Sequence, residues 1–98
     1  MSKQRDIHDH WFNEAKREGY RSRAAYKLIQ IDDRRGVLKR GDTVLDLGCM
    51  PGSWLQVAAQ RVGPQGEVWG VDLKETSGHD LPPNVHVYCG DAAHLLDV

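Results

Sequence analysis

Two segments near the start of the chain carry apolar residues at helical spacing. The first, "DHWFNEAKREGY" (9–20), has Asp9 in position to cap a helix. The second, "RSRAAYKLIQIDDRRG" (21–36), has Ser22 as its candidate cap and ends on a glycine. We therefore predict two amphipathic helices within residues 1–41.

From residue 43 the pattern changes to short apolar runs separated by turn residues. The runs "TVLDLG" (43–48), "EVWGVDL" (67–73) and "VHVYCGD" (85–91) are typical of buried parallel strands. Between the first two lies "SWLQVAAQRV" (53–62), whose apolar spacing predicts a helix with Ser53 as its cap. This order of elements predicts an α/β fold.

The predicted fold is the first half of a doubly wound, Rossmann-like sheet, with strand order 3-2-1. As a half, this sheet would be incomplete. Residues 1–41 would form a basic helical segment, residues 42–98 would form the half-sheet, and its last part, 92–98, would be a helix or a linker. The first strand would then leave an open edge, which favours pairing with a second copy as a dimer.

The charge is distributed unevenly along the 98 residues, although the net charge is only −1. Residues 1–41 carry 11 basic and 6 acidic side chains, a net charge of +5, whereas residues 42–98 carry 2 basic and 8 acidic ones, a net charge of −6. A basic segment on an acidic body suggests a polyanionic partner such as nucleic acid. The alternative is a basic helix face that only contacts water.

Composition excludes some classes of protein. No apolar run approaches the roughly 20 residues of a membrane-spanning helix, and the first residues have no apolar segment typical of a secretion signal. Cys49 and Cys89 fit no zinc-binding spacing, so we expect free, buried thiols and no metal. These features indicate a cytoplasmic protein without membrane attachment.

Polar residues at the strand ends are the candidate binding site. Gly48, Asp72 and Asp91 follow or end the three predicted strands, and parallel strands present their carboxyl ends at one edge of the sheet. The glycine spacing matches neither a dinucleotide nor a triphosphate motif. Asp72 is placed to accept hydrogen bonds from a ribose diol, and Asp91 from a base amine.

Each of these residues also has a purely structural interpretation. The glycines could serve only a tight turn, Asp72 could be a cap or turn residue, and Asp91 could cap a following helix. Asp46, inside the first strand, should be buried and then needs hydrogen bonds or a nearby cation. An acidic pocket of this kind suits a nucleoside with a positively charged tail, which is the chemistry of S-adenosylmethionine.

The loop "TVLDLGCMPGSW" resembles the cofactor loop of class I methyltransferases. Together with "SRAAYKL", "VWGVDL" and "GDA" it resembles the FtsJ-like family of ribosomal RNA 2′-O-ribose methyltransferases, over nearly the whole chain. This resemblance implies methyl transfer from S-adenosylmethionine to a uridine 2′-hydroxyl of large-subunit (23S-type) rRNA, free or within the large ribosomal subunit. The implied cofactor-binding residues are Asp46, Gly48, Pro51, Gly52, Trp54, Asp72, Leu73, Asp91 and Ala92.

The resemblance also assigns residues to catalysis and RNA binding. Lys27 matches the first member of the family's catalytic Lys-Asp-Lys-Glu set, while the matching positions for the other three lie beyond residue 98. The candidate RNA contacts are Arg21, Arg23, Arg34 and Arg35. We therefore expect this chain alone to be inactive, and the alternative is a non-catalytic module that binds S-adenosylmethionine, RNA or both. A dinucleotide-dependent oxidoreductase is disfavoured because the third glycine of its motif is missing.

Overall fold

The computed structural model describes residues 3–93, and these form the helices and strands of an α/β fold. Most of the segment 92–98, predicted as a helix or a linker, lies outside the described residues. The elements are α1 (Lys3–Glu18), α2 (Ala24–Arg35), β1 (Thr43–Leu47), α3 (Ser53–Val62), β2 (Glu67–Asp72) and β3 (Val85–Cys89). Every predicted helix and strand within the described residues is present.

The residues predicted to cap the N-termini of the three helices were wrong. Helix α1 begins at Lys3, so Asp9 lies inside it, because the preceding Lys, Gln and Arg are good helix formers. The N-cap positions of α2 and α3 hold an arginine and a glycine, and neither helix has a side-chain cap. The hydroxyls of Ser22 and Ser53 instead bond to each other at 2.8 Å, which joins the two helix starts.

The three strands form one parallel sheet in the order β1-β2-β3, so β2 lies between the other two. Each strand thus has the neighbours that were predicted. In the register, Asp46 of β1 pairs with Gly70 of β2, and Asp72 at the end of β2 pairs with Cys89 of β3. This register brings the carboxyl ends of the strands to the same edge.

Helix α3 packs on one face of this sheet and forms the main core. Its buried residues Leu55, Ala58 and Val62 contact Val68 of β2. Gly70, at the centre of β2, permits this close packing: an added Cβ would lie 2.8 Å from a methyl carbon of Leu55. A glycine inside a strand thus sets the distance between helix and sheet.

The opposite face of the sheet carries large apolar side chains that are exposed. Leu45 and Trp69 pair across β1 and β2, and Leu47 and Tyr88 lie on the next row. Their exposed fractions range from 43% for Trp69 to 60% for Leu47. His86 of β3 continues the first row, with its ring 4.2 Å from that of Trp69.

Helix α2 packs against α3 and shares its core, with Ala25 and Leu28 buried against Val57. At the far end of the interface, Arg61 donates to the buried Asp32 at 3.1 Å. The functional boundary predicted between residues 41 and 42 stays a prediction, but it does not separate two packing units, because α2 and α3 are in contact.

Two further expectations concern the cysteines and the membrane. Both cysteines are free, and Cys49 is buried as expected, whereas Cys89 is exposed, because it ends an outer strand. Within residues 3–93, no helix has both the length and the apolar character needed to cross a bilayer.

Candidate functional site

The polar residues at the three strand ends lie at the same edge of the sheet, as the sequence predicted. The chain leaves β1 at Gly48, whose N–H donates to the Val71 carbonyl of β2 at 2.7 Å. It leaves β3 at Gly90, whose N–H donates to the Asp72 carbonyl at 2.9 Å. These two bonds hold the loops after β1 and β3 against the end of β2.

Two cavities open at this edge and share Gly48. The first, of about 250 Å³, is lined by four of the predicted cofactor residues, Asp46, Gly48, Pro51 and Trp54. The second, of about 260 Å³, is lined by five of them, Gly48, Asp72, Leu73, Asp91 and Ala92. We call them the Asp46 cavity and the Asp72 cavity. An added Cβ on Gly48 would meet no atom within 4 Å, so this residue borders open space.

Asp46 has the most unusual environment among the described carboxylates. Its Oδ2 atom is buried and has no hydrogen-bond partner. Burial, and to a smaller extent the negative charge of Asp72, raise the pKa of Asp46. The sequence predicted that this carboxylate would be satisfied by hydrogen bonds or by a cation, and one of its oxygens lacks a protein partner. Asp46 also lines the Asp46 cavity, so its carboxylate adds negative charge to the cavity wall, although Oδ2 itself is buried.

Asp72 is held in place by the backbone. The N–H of Lys74 donates to its Oδ1 at 2.8 Å and the N–H of Met50 to its Oδ2 at 2.9 Å, and these bonds lower the pKa of Asp72. A carboxylate has about four acceptor sites, so each oxygen retains capacity for one more donor. Asp72 is thus ionised and oriented, and it can still accept hydrogen bonds from a diol.

Asp91 follows β3 and accepts a hydrogen bond from the N–H of Ala93 through Oδ1 at 2.9 Å. This bond matches the capping alternative, yet Asp91 also lines the Asp72 cavity. Leu73, which follows Asp72 in the chain, is 74% exposed and also lines the Asp72 cavity. The cavity therefore combines an apolar side chain with two carboxylates, a composition suited to a nucleoside.

Gly52 is the one predicted cofactor residue that lines neither cavity. It is buried, has φ +109°, and stands at the N-cap of α3. An added Cβ would lie 2.9 Å from Nη1 of Arg21. In this structure the missing side chain makes room for an arginine rather than for the cavity.

Trp54 borders the Asp46 cavity and also joins two helices. Its indole Nε1 donates to the Ala24 carbonyl in the first turn of α2 at 2.8 Å. Ala24 itself lines the same cavity. The indole ring is consequently fixed at the cavity wall by a bond to the helix that carries Lys27.

Lys27 lies on α2, three residues after Ala24, and its side chain is exposed. Residues three apart in a helix lie on the same side, so Lys27 follows the cavity-lining Ala24 along one face. Its ammonium is accessible to a large substrate approaching the Asp46 cavity from solvent.

The four candidate RNA-binding arginines differ in their surroundings. Arg23, Arg34 and Arg35 are exposed, the first at the start of α2 and the other two in its last turn. Arg21 instead directs its guanidinium at the backbone carbonyls of Pro51, Ser77 and His79. The guanidinium of Arg21 thus makes its hydrogen bonds within the chain.

A family model described as FtsJ-like methyltransferase matches residues 20–97. The chain belongs to the FtsJ-like methyltransferase family. It is 52% identical over 83 residues to a protein named Ribosomal RNA large subunit methyltransferase E from Halobacterium salinarum, covering 85% of this chain and 32% of the relative. A protein of the same name from Syntrophobacter fumaroxidans is 53% identical over 85 residues, covering 87% of this chain and 43% of the relative.

A solved structure described as that of a ribosomal RNA methyltransferase from Plasmodium falciparum also resembles this fold. It is 44% identical, with a TM-score of 0.64 over 74% of this chain and 38% of the other. The chain thus spans between about a third and two fifths of the length of these three relatives. The resemblance inferred from the cofactor loop and "SRAAYKL" is therefore confirmed at the level of the family.

Sequence reasoning missed several residues that shape this site in the FtsJ-like chain. Met50 donates its backbone N–H to Asp72 and also lines the Asp46 cavity, and Ala24 contributes cavity wall and a carbonyl. Gln56 accepts a hydrogen bond from the Arg21 N–H and donates one to the Gly19 carbonyl. No local pattern marks these residues, because backbone contacts and long-range pairs leave no spacing in the sequence.

Proposed function

We propose that this chain binds S-adenosylmethionine at the joined Asp46 and Asp72 cavities, as the cofactor-binding part of an rRNA 2′-O-ribose methyltransferase. The observation that carries the proposal is the pair of cavities at the carboxyl ends of the strands, which share Gly48 and are lined by Asp46 and Asp72. The names of the two relatives, which describe methyltransferases of large-subunit rRNA, support the substrate class.

The cavities fit this cofactor in charge and in size. Besides its carboxylate, the amino acid end of S-adenosylmethionine carries an ammonium and a sulfonium, and the negative charge of Asp46 at the cavity wall would attract these cations. The carboxylates Asp46, Asp72 and Asp91 disfavour a phosphate group. Each cavity is smaller than the roughly 300–1,000 Å³ of common ligand pockets, so a nucleoside with a tail would occupy both.

We assign the parts of the cofactor to residues accordingly. Asp46 and Trp54 would hold the amino acid end, Asp72 the ribose hydroxyls, and Leu73 with Asp91 the base. The bound cofactor supplies an electrophilic methyl group. Walls that fix the donor rigidly reduce the entropic cost of alignment with an incoming hydroxyl.

Lys27 is the proposed catalytic residue of this chain. A ribose hydroxyl is a poor nucleophile: its proton would pass to solvent water as the oxygen takes the methyl group, and a positive charge nearby stabilises the negative charge that develops on the oxygen. The Lys27 ammonium, on the helix face that continues from Ala24, would donate to that oxygen and stabilise its developing negative charge. This role depends on an RNA substrate placed between α2 and the cavities.

The RNA-facing surface of the proposed enzyme is the basic segment 1–41. Arg23, Arg34 and Arg35 are exposed along α2, about 18 Å from end to end at 1.5 Å per residue. Such spacing spans several phosphates of an RNA backbone. We place the enzyme in the cytoplasm, acting on rRNA or on the large ribosomal subunit.

A second candidate function is a binding module without catalysis. The observation favouring it is that, among the described residues, the strand-end carboxylates and the exposed arginines of α2 are candidate binding groups, whereas Lys27 alone is a candidate catalytic group. Of the catalytic set implied by the resemblance, only Lys27 lies within this chain. Binding of cofactor or RNA without methyl transfer would define this alternative.

Calorimetric titration of the 98-residue chain with S-adenosylmethionine tests the cofactor site. We expect saturable binding that Asp72→Ala weakens at least tenfold, because the ribose contact and the Met50 bond are lost together. The control is Glu75→Gln. Glu75 is a nearby exposed residue that lines neither cavity, so this variant should bind the cofactor like the wild type. Equal affinity of the wild type and Asp72→Ala would contradict the assigned ribose contact.

Methyl transfer separates the two candidate functions. The assay would follow incorporation of labelled methyl groups into unmethylated large-subunit rRNA and into ribosomal particles. Incorporation that Lys27→Met abolishes, with cofactor affinity unchanged, supports the enzyme. Cofactor binding without any incorporation supports the binding module.

A further inference from the structure

Arg21 joins three separate parts of the chain. Its guanidinium donates to the carbonyl of Pro51, at 3.0 Å, and to the carbonyls of Ser77 and His79. Its backbone N–H donates to Oε1 of Gln56 on α3 at 2.9 Å. Arg21, which precedes α2, thus contacts three parts of the chain. These are the loop after β1, the loop between β2 and β3, and helix α3.

Gly52 provides the space for this guanidinium. A Cβ at position 52 would lie 2.9 Å from Nη1 and 3.2 Å from Cδ of Arg21, closer than ordinary van der Waals contact. The loop from Gly48 to Gly52 is therefore built around the arginine on one side and the Asp46 cavity on the other.

The contacts next to Arg21 extend the same connection. Ser22 bonds Ser53 at 2.8 Å, and Trp54 bonds the Ala24 carbonyl at 2.8 Å. The start of α2, with Lys27 one turn further on, is in this way attached to the residues that line the Asp46 cavity.

We propose that Arg21 is a positioning residue that holds the cofactor loop 48–52, the loop 73–84 and the start of α2 in one fixed arrangement. As a consequence, the cofactor site and Lys27 keep a constant position relative to each other. This consequence rests on the proposed function. The geometry requires a fork of several donors, and a lysine, as a single point charge, cannot reproduce it. Arg21 then serves the site through the backbone and makes no contact with RNA.

Hydrogen exchange of the 98-residue chain without cofactor gives the first test. The variants are Arg21→Met and Arg21→Lys, with Arg17→Met as a control that removes an equal charge from an exposed site on α1. We expect exchange to rise several-fold in both loops for Arg21→Met, less for Arg21→Lys, and not for Arg17→Met. Unchanged exchange in either loop for Arg21→Met would overturn the proposal, whether or not the chain binds cofactor.

Cofactor affinity per folded molecule, measured well below the melting temperature, gives the second test. We expect Arg21→Met to weaken S-adenosylmethionine binding about tenfold, or about 1.4 kcal/mol, with Arg21→Lys between it and the wild type. A wild-type chain that does not bind would refute the proposed function, while the exchange experiment would still decide the role of Arg21. Wild-type affinity in Arg21→Met would overturn the positioning role.

A double-mutant cycle with Gly52→Ala identifies the contact itself. The alanine Cβ would displace the guanidinium, and so Gly52→Ala should act on affinity partly through Arg21. Because φ +109° strains any residue that has a Cβ, part of the effect of Gly52→Ala should remain in the Arg21→Met background, and only the part that acts through Nη1 and Cζ should be lost. Strictly additive effects would show that the two residues act independently and would contradict the proposal.

Discussion

The unpartnered carboxylate of Asp46 leads to a prediction that relates stability to function. Asp46→Asn keeps the size of the side chain and removes its charge. The buried Oδ2 has no hydrogen-bond partner, and the charge of Asp72 repels it. We therefore expect the substitution to stabilise the fold and, at the same time, to weaken binding of a cationic ligand.

The magnitude of the stabilisation follows from the buried oxygen. A buried polar atom without a partner costs about 1–3 kcal/mol, and more when it is charged. The asparagine amide retains part of this cost, because the structure offers no partner at the position of Oδ2. A net gain of about 1 kcal/mol remains, which would raise the melting temperature of a chain of this size by about 4–8 °C.

Thermal unfolding followed by circular dichroism at several pH values measures this gain. The folded-state pKa of Asp46 is raised above that of the unfolded chain, so the ionised carboxyl destabilises the fold at higher pH. As the pH falls below the folded pKa, the wild-type carboxyl becomes neutral in the fold, so the difference between the two proteins should shrink and should vanish below the pKa of the unfolded chain. Asp72, whose pKa is lowered, has the opposite pH dependence but is present in both proteins.

A matched control is Asp42→Asn. Asp42 is also partly buried, but its Oδ2 accepts a hydrogen bond from the Lys39 N–H at 3.0 Å. The Asp42→Asn variant should be no more stable than the wild type, and its cofactor affinity should be unchanged. Asp46→Asn should weaken cofactor binding about tenfold, or about 1.4 kcal/mol. A lower melting temperature for Asp46→Asn at neutral pH would refute the reasoning from the unpartnered oxygen.

Three further predictions concern packing and association. Arg61→Met removes the ion-pair partner of Asp32, whose side chain is 5% exposed and keeps its hydrogen bond from the Leu38 N–H. It should cost about 1–2 kcal/mol in urea unfolding, below the 3–5 kcal/mol of a fully buried pair, because Arg61 is one-third exposed. A thiol reagent should modify Cys89 at once and Cys49 only on unfolding, because burial protects Cys49 and raises its pKa. Fast reaction of both thiols would contradict the burial of Cys49 in the core. Sedimentation should show self-association through the open edge of β1, and Leu47→Lys should reduce it; a stable monomer would exclude this pairing.

Local patterns in the sequence were sufficient for the elements and for the family. The strand runs and the helix 53–62 depend on side-chain periodicity, which neighbouring residues determine. The convergence of Asp46, Asp72 and Asp91 follows from parallel strands, so the edge that holds the cavities was also predictable. The caps were less predictable, because Ser22 and Ser53 bond each other instead of their own helices.

The tertiary structure alone decided what the individual charged side chains do. Arg21 and Arg23 look alike in the sequence, yet one is bound to carbonyls 30, 56 and 58 residues away and the other is exposed. The sequence likewise showed that Asp46 needed a partner, but not that one of its oxygens would lack one. Hydrogen bonds between distant residues depend on how helices and loops pack, and packing distances leave no periodic trace along the chain.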